Sequence, residues 1–268
     1  MAEAQKGKHP VYTLGPIIHN PQVVENLKKN NIIPIDNLKN ITGQSTVLIR
    51  SHGISLEKEK ELYNRDLNIN DATCPNVKRA HRISGEFKNK VDRVFIAGIK
   101  SHPEVKGILS RAKRKSTVIT APEKAREVKV FKTGGLLAQT TFKKKKFFEI
   151  ADILLRKAKE SLEIQNTICR ETLIRQRELK KLALEVDVLI VIGGKNSSNT
   201  KRLHEIGKER VKTHHVEVPE DIDKNWFINK SQVGIITGAS TPLIMVKKIV
   251  KEIQKVTKRI QSVQNKKR

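Results

Sequence analysis

One arrangement recurs along the chain and restricts its fold more than any other feature: a short apolar run ends in a polar loop, and a helix-like segment follows. Val11-Tyr12-Thr13-Leu14 leads to Gly15-Pro16-Ile17-Ile18-His19-Asn20. Residues 46–50 lead to Ser51-His52-Gly53, and residues 93–97 to Gly98-Ile99-Lys100-Ser101-His102-Pro103-Glu104. Residues 135–138 lead to Gln139-Thr140-Thr141, residues 186–192 to Gly193-Gly194-Lys195-Asn196-Ser197-Ser198-Asn199, and residues 233–236 to Thr237-Gly238-Ala239-Ser240. Near-continuous apolar strands alternating with helices predict an α/β fold whose parallel-rich sheets are covered on both faces. Ligands of such sheets bind beyond the carboxyl ends of the strands. Every loop named here lies at such an end, so all of them share one ligand side if the sheets face a common centre.

Asp71-Ala72-Thr73-Cys74-Pro75 fits the same scheme. It follows residues 66–70, which alternate polar and apolar like a short strand. Proline suits the first position of a helix, so Cys74 is expected where a strand ends and a helix opens. The other cysteine, Cys169, precedes a charged helical stretch. Two cysteines this far apart, with no Cys-x-x-Cys pair, argue against a disulfide scaffold. They are either plain buried thiols or ligands, and two thiolates alone cannot hold an ordinary four-cysteine iron–sulfur cluster.

The remaining loops suggest anion binding and proton transfer. Lys195-Asn196-Ser197-Ser198-Asn199 opens a helix, where free backbone N–H groups suit a phosphate or diphosphate. The plainer reading is N-capping by Ser or Asn, but Gly238-Ala239-Ser240 repeats the logic and favours an anion site. His19, His52 and His102 each follow a strand. They suit diphosphate binding or proton transfer, with a three-histidine metal site as the competing reading. Glu104 reads as a general acid, its carboxyl held protonated by burial, or as a carboxylate favoured by a helix N-terminus.

The formal net charge of the 268 residues is +26, which raises nucleic acid as a partner. Lysines are spread over nearly every helical segment, and only 4% of residues are aromatic, too few for base-stacking platforms. A lysine-rich solvated surface is the reading adopted, with some attraction to acidic electron carriers. No apolar run is long enough to cross a membrane and residues 1–8 carry no apolar signal core, so the expectation is a cytoplasmic protein without a membrane partner. Ile249, Ile253, Val256, Ile260 and Val263 form the apolar stripe of an amphipathic C-terminal helix, expected to dock on its own sheet.

Taken together, residues 12–24, Ser51-His52-Gly53, Asp71-Ala72-Thr73-Cys74-Pro75, His102-Pro103-Glu104-Val105, Gln139-Thr140-Thr141, Asn166-Thr167-Ile168-Cys169, residues 195–199 and Gly238-Ala239-Ser240 resemble the LytB family of 4-hydroxy-3-methylbut-2-enyl diphosphate reductases, in the family's order. The resemblance implies a trefoil of three α/β units, here residues 1–73, 74–168 and 169–268, around a central pocket. It implies a [4Fe–4S] cluster on three cysteines, of which Cys74 and Cys169 match the second and third. His19, His52, Ser197, Ser198, Asn199 and Ser240 match the diphosphate grip. His102, Glu104 and Thr140 match positions near the leaving hydroxyl, with Glu104 as proton donor. The implied reaction is reductive dehydroxylation to isopentenyl or dimethylallyl diphosphate in the non-mevalonate isoprenoid pathway, with a ferredoxin or flavodoxin as electron donor. Family members open with a strand and a Phe-Cys-x-Gly-Val loop bearing the first cluster cysteine, and residues 1–10 match only the tail of the helix beyond it. The first expectation is therefore a longer, active gene product. A degenerate prenyl-diphosphate-binding protein ranks second and a basic RNA-binding protein third.

Overall fold

In the computed structural model, which describes residues 10–17, 21–39, 41, 45–112, 116–239 and 241–265, the strand–loop–helix units build three parallel sheets. The first holds β1 (Val11–Leu14), β2 (Ile32–Ile35), β3 (Thr46–Ile49) and β4 (Asn68–Asp71) in the order β2-β1-β3-β4. Helices α1 (Pro21–Lys29) and α2 (Leu56–Tyr63) belong to this stretch. The second repeats that order with β5 (Arg93–Ala97), β6 (Ser116–Ile119), β7 (Phe131–Ala138) and β8 (Ala158–Gln165), as β6-β5-β7-β8. Its helices are α3 (Pro75–Lys90), α4 (Pro103–Ala112), α5 (Pro122–Arg126) and α6 (Lys144–Leu155). The third runs β10-β9-β11, from β9 (Val188–Ile192), β10 (Thr213–Val216) and β11 (Val233–Thr237), with α7 (Arg170–Leu182), α8 (Ser198–Lys208) and α9 (Leu243–Asn265). Every strand pairing is parallel, as the doubly apolar strands predict. The chain divides into two compact units, Met1–Ile17 with Glu25–Cys169, and Ile18–Val24 with Arg170–Arg268.

Central strands are the most apolar because helices cover both of their faces. All five residues of β9 are buried. One helical layer packs Leu179, Leu203 and Ile206 against Leu189 and Val191, and the other packs Ile249 and Ile253 against Val188, Ile190 and Ile192. The amphipathic α9 thus docks on its own sheet, with Val256 and Ile260 at its margin. In the second sheet Gly135 in β7 lies flat under the Phe87 ring. A Cβ there would come 2.5 Å from Phe87 Cδ2, and Phe87 is itself fully packed. Gly135→Ala is therefore expected to destabilise the protein by about 1–3 kcal/mol through overpacking. Thermal unfolding of G135A, and of G135A combined with Phe87→Leu, measures this; the second change should restore part of the loss.

Four strands carry no clear sequence signal: β2, β6, β8 and β10, all of them sheet edges. An edge strand buries less and donates fewer ladder bonds, so it tolerates polar residues and proline. Pro34 sits in β2, and β8, Ala-Lys-Glu-Ser-Leu-Glu-Ile-Gln, is mostly exposed.

Candidate active site

The strand orders determine where the loops gather. In each sheet the chain reverses its direction of travel between two neighbours: β1 and β3, β5 and β7, β9 and β11. A crevice opens at the carboxyl ends of such a pair. His52 follows β3, His102 and Glu104 follow β5, Thr140 follows β7, and Ser197, Ser198 and Asn199 follow β9. Cys74 and Cys169 follow β4 and β8, one strand further out in their sheets. His19 and Ser240 lie outside the described residues.

Within the first unit a closed circuit of side-chain and backbone contacts joins the loops of His52, His102, Thr140 and the two cysteines. The rings of His52 and His102 meet edge to face, 5.5 Å between centroids. His102 Nδ1 accepts the Glu104 backbone N–H at 3.2 Å, so a neutral His102 carries its proton on Nε2. The Glu104 carboxylate takes the Thr140 backbone N–H at 2.7 Å and the Thr140 hydroxyl at 2.9 Å. The Thr140 carbonyl in turn accepts the Cys169 N–H at 2.8 Å. Asn76 Nδ2 lies 3.3 Å from Cys169 Sγ as its donor. Asn76 belongs to the first turn of α3, whose N-cap is Cys74, with Pro75 opening the helix as expected. Finally the Cys74 N–H donates to the carbonyl of Ser51, the neighbour of His52, at 3.0 Å.

Gln139 and Thr167 fix the strand ends that carry this circuit. Gln139 Oε1 accepts the Ile99 N–H at 3.1 Å and so ties the His102 loop to the end of β7. Thr167 Oγ1 accepts the Ala138 N–H at 2.8 Å and holds the approach to Cys169 against β7. Asn76 and Thr167 carried no sequence signal of their own beyond adjacency to the cysteines.

Glu104 is 2% exposed. Burial pushes its carboxyl up to about 7, against the opposing pull of the two Thr140 hydrogen bonds. The Thr140 hydroxyl donates to an ionised Glu104 and can accept from a protonated one. The pair can therefore hold or release a proton near neutrality without either group losing its partner.

The second unit carries the anion-type loops. Ser197 caps α8, accepting the Thr200 N–H at 3.4 Å, so the ordinary capping role is realised. Asn199 has a different character. It is 8% exposed, and neither Nδ2 nor Oδ1 finds a partner among the described residues. The fully buried Thr200 hydroxyl lacks one as well. Gly193 and Gly238 approach it so closely that a Cβ on either would fall 2.6 and 2.3 Å from Thr200 Oγ1. His215 Nε2 lies 2.9 Å from the Gly193 carbonyl. An unsatisfied amide at the N-terminus of an eleven-residue helix is a cradle for an anionic oxygen.

The family profile described as LytB protein matches residues 1–254. The chain belongs to the LytB family. Similar LytB proteins named 4-hydroxy-3-methylbut-2-enyl diphosphate reductase include one from Geotalea daltonii, 40% identical over 92% of this chain and 87% of the relative. Another, from Aquifex aeolicus, is 42% identical over 92% of this chain and 86% of that one. Among solved structures, one described as the terminal enzyme of the non-mevalonate pathway is 40% identical, covers 95% of this chain and 91% of its own, and superposes with a TM-score of 0.70. The reductase from Plasmodium falciparum is 26% identical over 93% of this chain and 80% of its own, with a TM-score of 0.86.

The LytB family is iron–sulfur dependent, and the residues present suit part of that task. Cys74 and Cys169 are free and half-buried, and Asn76, in the helix that opens at Cys74, donates to Cys169 Sγ. Hydrogen bonding to a ligand sulfur, as from Asn76, is one way a protein tunes such a group. The 268 residues contain two cysteines, and no cluster of three His, Cys, Asp or Glu among the described residues is arranged for a metal ion. The thiols therefore fit as two ligands, and a further protein thiolate is not among these residues. No helix among the described residues is long and apolar enough to cross a membrane.

Proposed function

We propose that this chain is a 4-hydroxy-3-methylbut-2-enyl diphosphate reductase. The substrate takes up two electrons and two protons, loses its hydroxyl as water and becomes isopentenyl or dimethylallyl diphosphate. The observation that carries this reading is the circuit of side-chain and backbone contacts that runs from His52 through Glu104 and Thr140 to the Cys169 and Cys74 loops, which supports a proton-holding carboxyl acting with a pair of candidate iron ligands. Cys74 and Cys169 would hold an iron–sulfur cluster, which would supply the electrons and a Lewis-acid partner for the hydroxyl. The protein supplies the rest. Glu104, poised near neutrality, delivers a proton, and Thr140 keeps its carboxyl aimed whichever charge it bears. His102, whose Nδ1 is held by the Glu104 N–H, binds on the same side. Ser197, Ser198 and Asn199, with His19, His52 and Ser240 by resemblance, take the diphosphate. The donor is a ferredoxin or flavodoxin and the setting cytoplasmic. We assign the three sheets to units 1–73, 74–168 and 169–268, supported by the separate hydrophobic clusters about each sheet.

Iron and acid-labile sulfide counts on anaerobically purified protein, followed by turnover of the diphosphate substrate under a chemical reductant, test the reading. Iron bound together with acid-labile sulfide, and formation of the two isomers, are expected. A chain that binds no iron and turns nothing over would falsify it, leaving a degenerate prenyl-diphosphate-binding protein.

The anion cradle makes a separate prediction. Asn199→Leu removes a buried amide that the free protein leaves unsatisfied, a penalty of about 1–3 kcal/mol. The variant should melt higher than the parent and bind the diphosphate at least tenfold more weakly. Calorimetry and inorganic diphosphate titration measure the two effects.

A further inference from the structure

His81 lies in α3, seven residues after Cys74, and is 7% exposed. Its ring fills a slot between two glycines on different elements. A Cβ on Gly53 would fall 2.7 Å from His81 Cε1, and one on Gly107 would fall 2.6 Å from His81 Nε2. Gly53 follows His52 directly and has a positive φ of 68°, so it favours glycine on its own account. Gly107 lies in α4, one turn beyond Glu104. The ring thus touches the backbone beside His52 and the backbone of the helix that carries Glu104, on a helix that opens at Cys74.

The contacts around the slot bind α4 to the segment after Gly53 and to α3. Arg111 Nη1 donates to the Ile54 carbonyl at 3.0 Å and to the Gly107 carbonyl at 2.9 Å. The Leu56 N–H donates to Ser110 Oγ at 2.9 Å, and Ser84 Oγ donates to the Ile108 carbonyl at 2.8 Å. His81 has no such bond: its Nε2 is buried with no partner among the described residues. Burial, with the nearby Arg111 cation, lowers its pKa to about 4 against the weaker pull of Asp71, so the ring is neutral in the working range. A neutral imidazole with an orphaned nitrogen contributes by shape.

We propose that His81 is a positioning residue: its flat ring is the spacer that sets the distance between the His52–Gly53 turn and α4, and with it the edge-to-face approach of His52 to His102. The catalytic consequence rests on the reductase reading; the spacing itself does not. A displacement near 1 Å at the site costs about 10²-fold in rate, so a spacer two residues removed from the chemistry still governs it.

The test compares the parent with His81→Ala, His81→Phe and Ile83→Ala, the last a buried α3 core residue away from the slot. One readout is the through-space NMR contact between the His52 and His102 rings, which needs no turnover. The other is kcat and KM of the cluster-loaded protein well below its melting temperature. His81→Ala should lose the ring contact and at least tenfold in kcat, with a smaller change in KM. His81→Phe, which keeps a flat ring, should retain the contact and most of kcat, and Ile83→Ala should melt lower with both intact. If His81→Ala does not fold, His81→Phe and Gly107→Ala decide, the second forcing the slot open and breaking the contact. A retained ring contact in His81→Ala or Gly107→Ala, or an equal kcat loss in Ile83→Ala, overturns the proposal. A parent that is inactive yet shows the contact, lost in His81→Ala, refutes the reductase reading and leaves the spacer standing.

Discussion

Glu104→Gln should lower kcat by about 10²- to 10⁴-fold, the range for loss of a general acid, with little change in KM or in folding. Glutamine keeps the shape and the neutrality of a protonated Glu104. Its Oε1 still accepts the Thr140 N–H, and its amide can donate to the Thr140 hydroxyl in place of the bond now made. What it lacks is a proton to give. The parent should show kcat falling as pH rises through about 7, where Glu104 ionises, and E104Q should lack that limb. Stability gives a second check. Glu104 is raised in the folded state, so the native protein binds more protons than the unfolded chain between about 4.5 and 7. Its contribution is fully present below the unfolded value and is lost as pH rises through that window. His81 has the opposite sign: lowered from 6.5 to about 4, its contribution is present above the unfolded value and is lost as pH falls through that range. The two partly cancel in mild acid. E104Q should therefore melt with a steeper acid dependence than the parent, and a flat comparison between the two would count against the burial of one or the other group.

Cys74→Ser and Cys169→Ser should each abolish iron binding, with the visible absorption of the reconstituted protein lost and no turnover remaining. Two thiols are all this sequence offers a cluster, and replacing either leaves one soft ligand. Neither thiol is in a disulfide, and serine is close to isosteric, so the cluster-free variants should melt within about 0.5 kcal/mol of the cluster-free parent. Iron retained in either variant would show that the metal is held elsewhere. A large loss of stability in the absence of iron would instead make the cysteines packing residues.

The central strands were legible because burial on both faces leaves an apolar run, and the site loops because they follow those runs. Cys74 at the mouth of a helix was readable from Pro75 alone. The edge strands were not, since half their environment is water: nothing in Ala-Lys-Glu-Ser separates β8 from a surface loop. Ser197 and Asn199 looked equivalent in sequence, yet Ser197 caps its helix and the Asn199 amide has no partner among the described residues. His81 was invisible for a related reason. Its role depends on Gly53 and Gly107, 28 residues before it and 26 after it, and no local pattern links the three.

The outermost strand of the third sheet has a practical bearing on handling the protein. Four of the other margins are blunted: Pro34 interrupts β2, charged or amide side chains line β4 and β8, and two histidines occupy β10, while the short β6, Ser-Thr-Val-Ile, is uncharged. β11, Val-Gly-Ile-Ile-Thr, has neither charge nor proline and pairs only with β9 among the described residues. An edge strand without charge or proline is open to pairing with an added extended peptide. Concentrated solutions should accordingly cloud by strand-to-strand addition at this border.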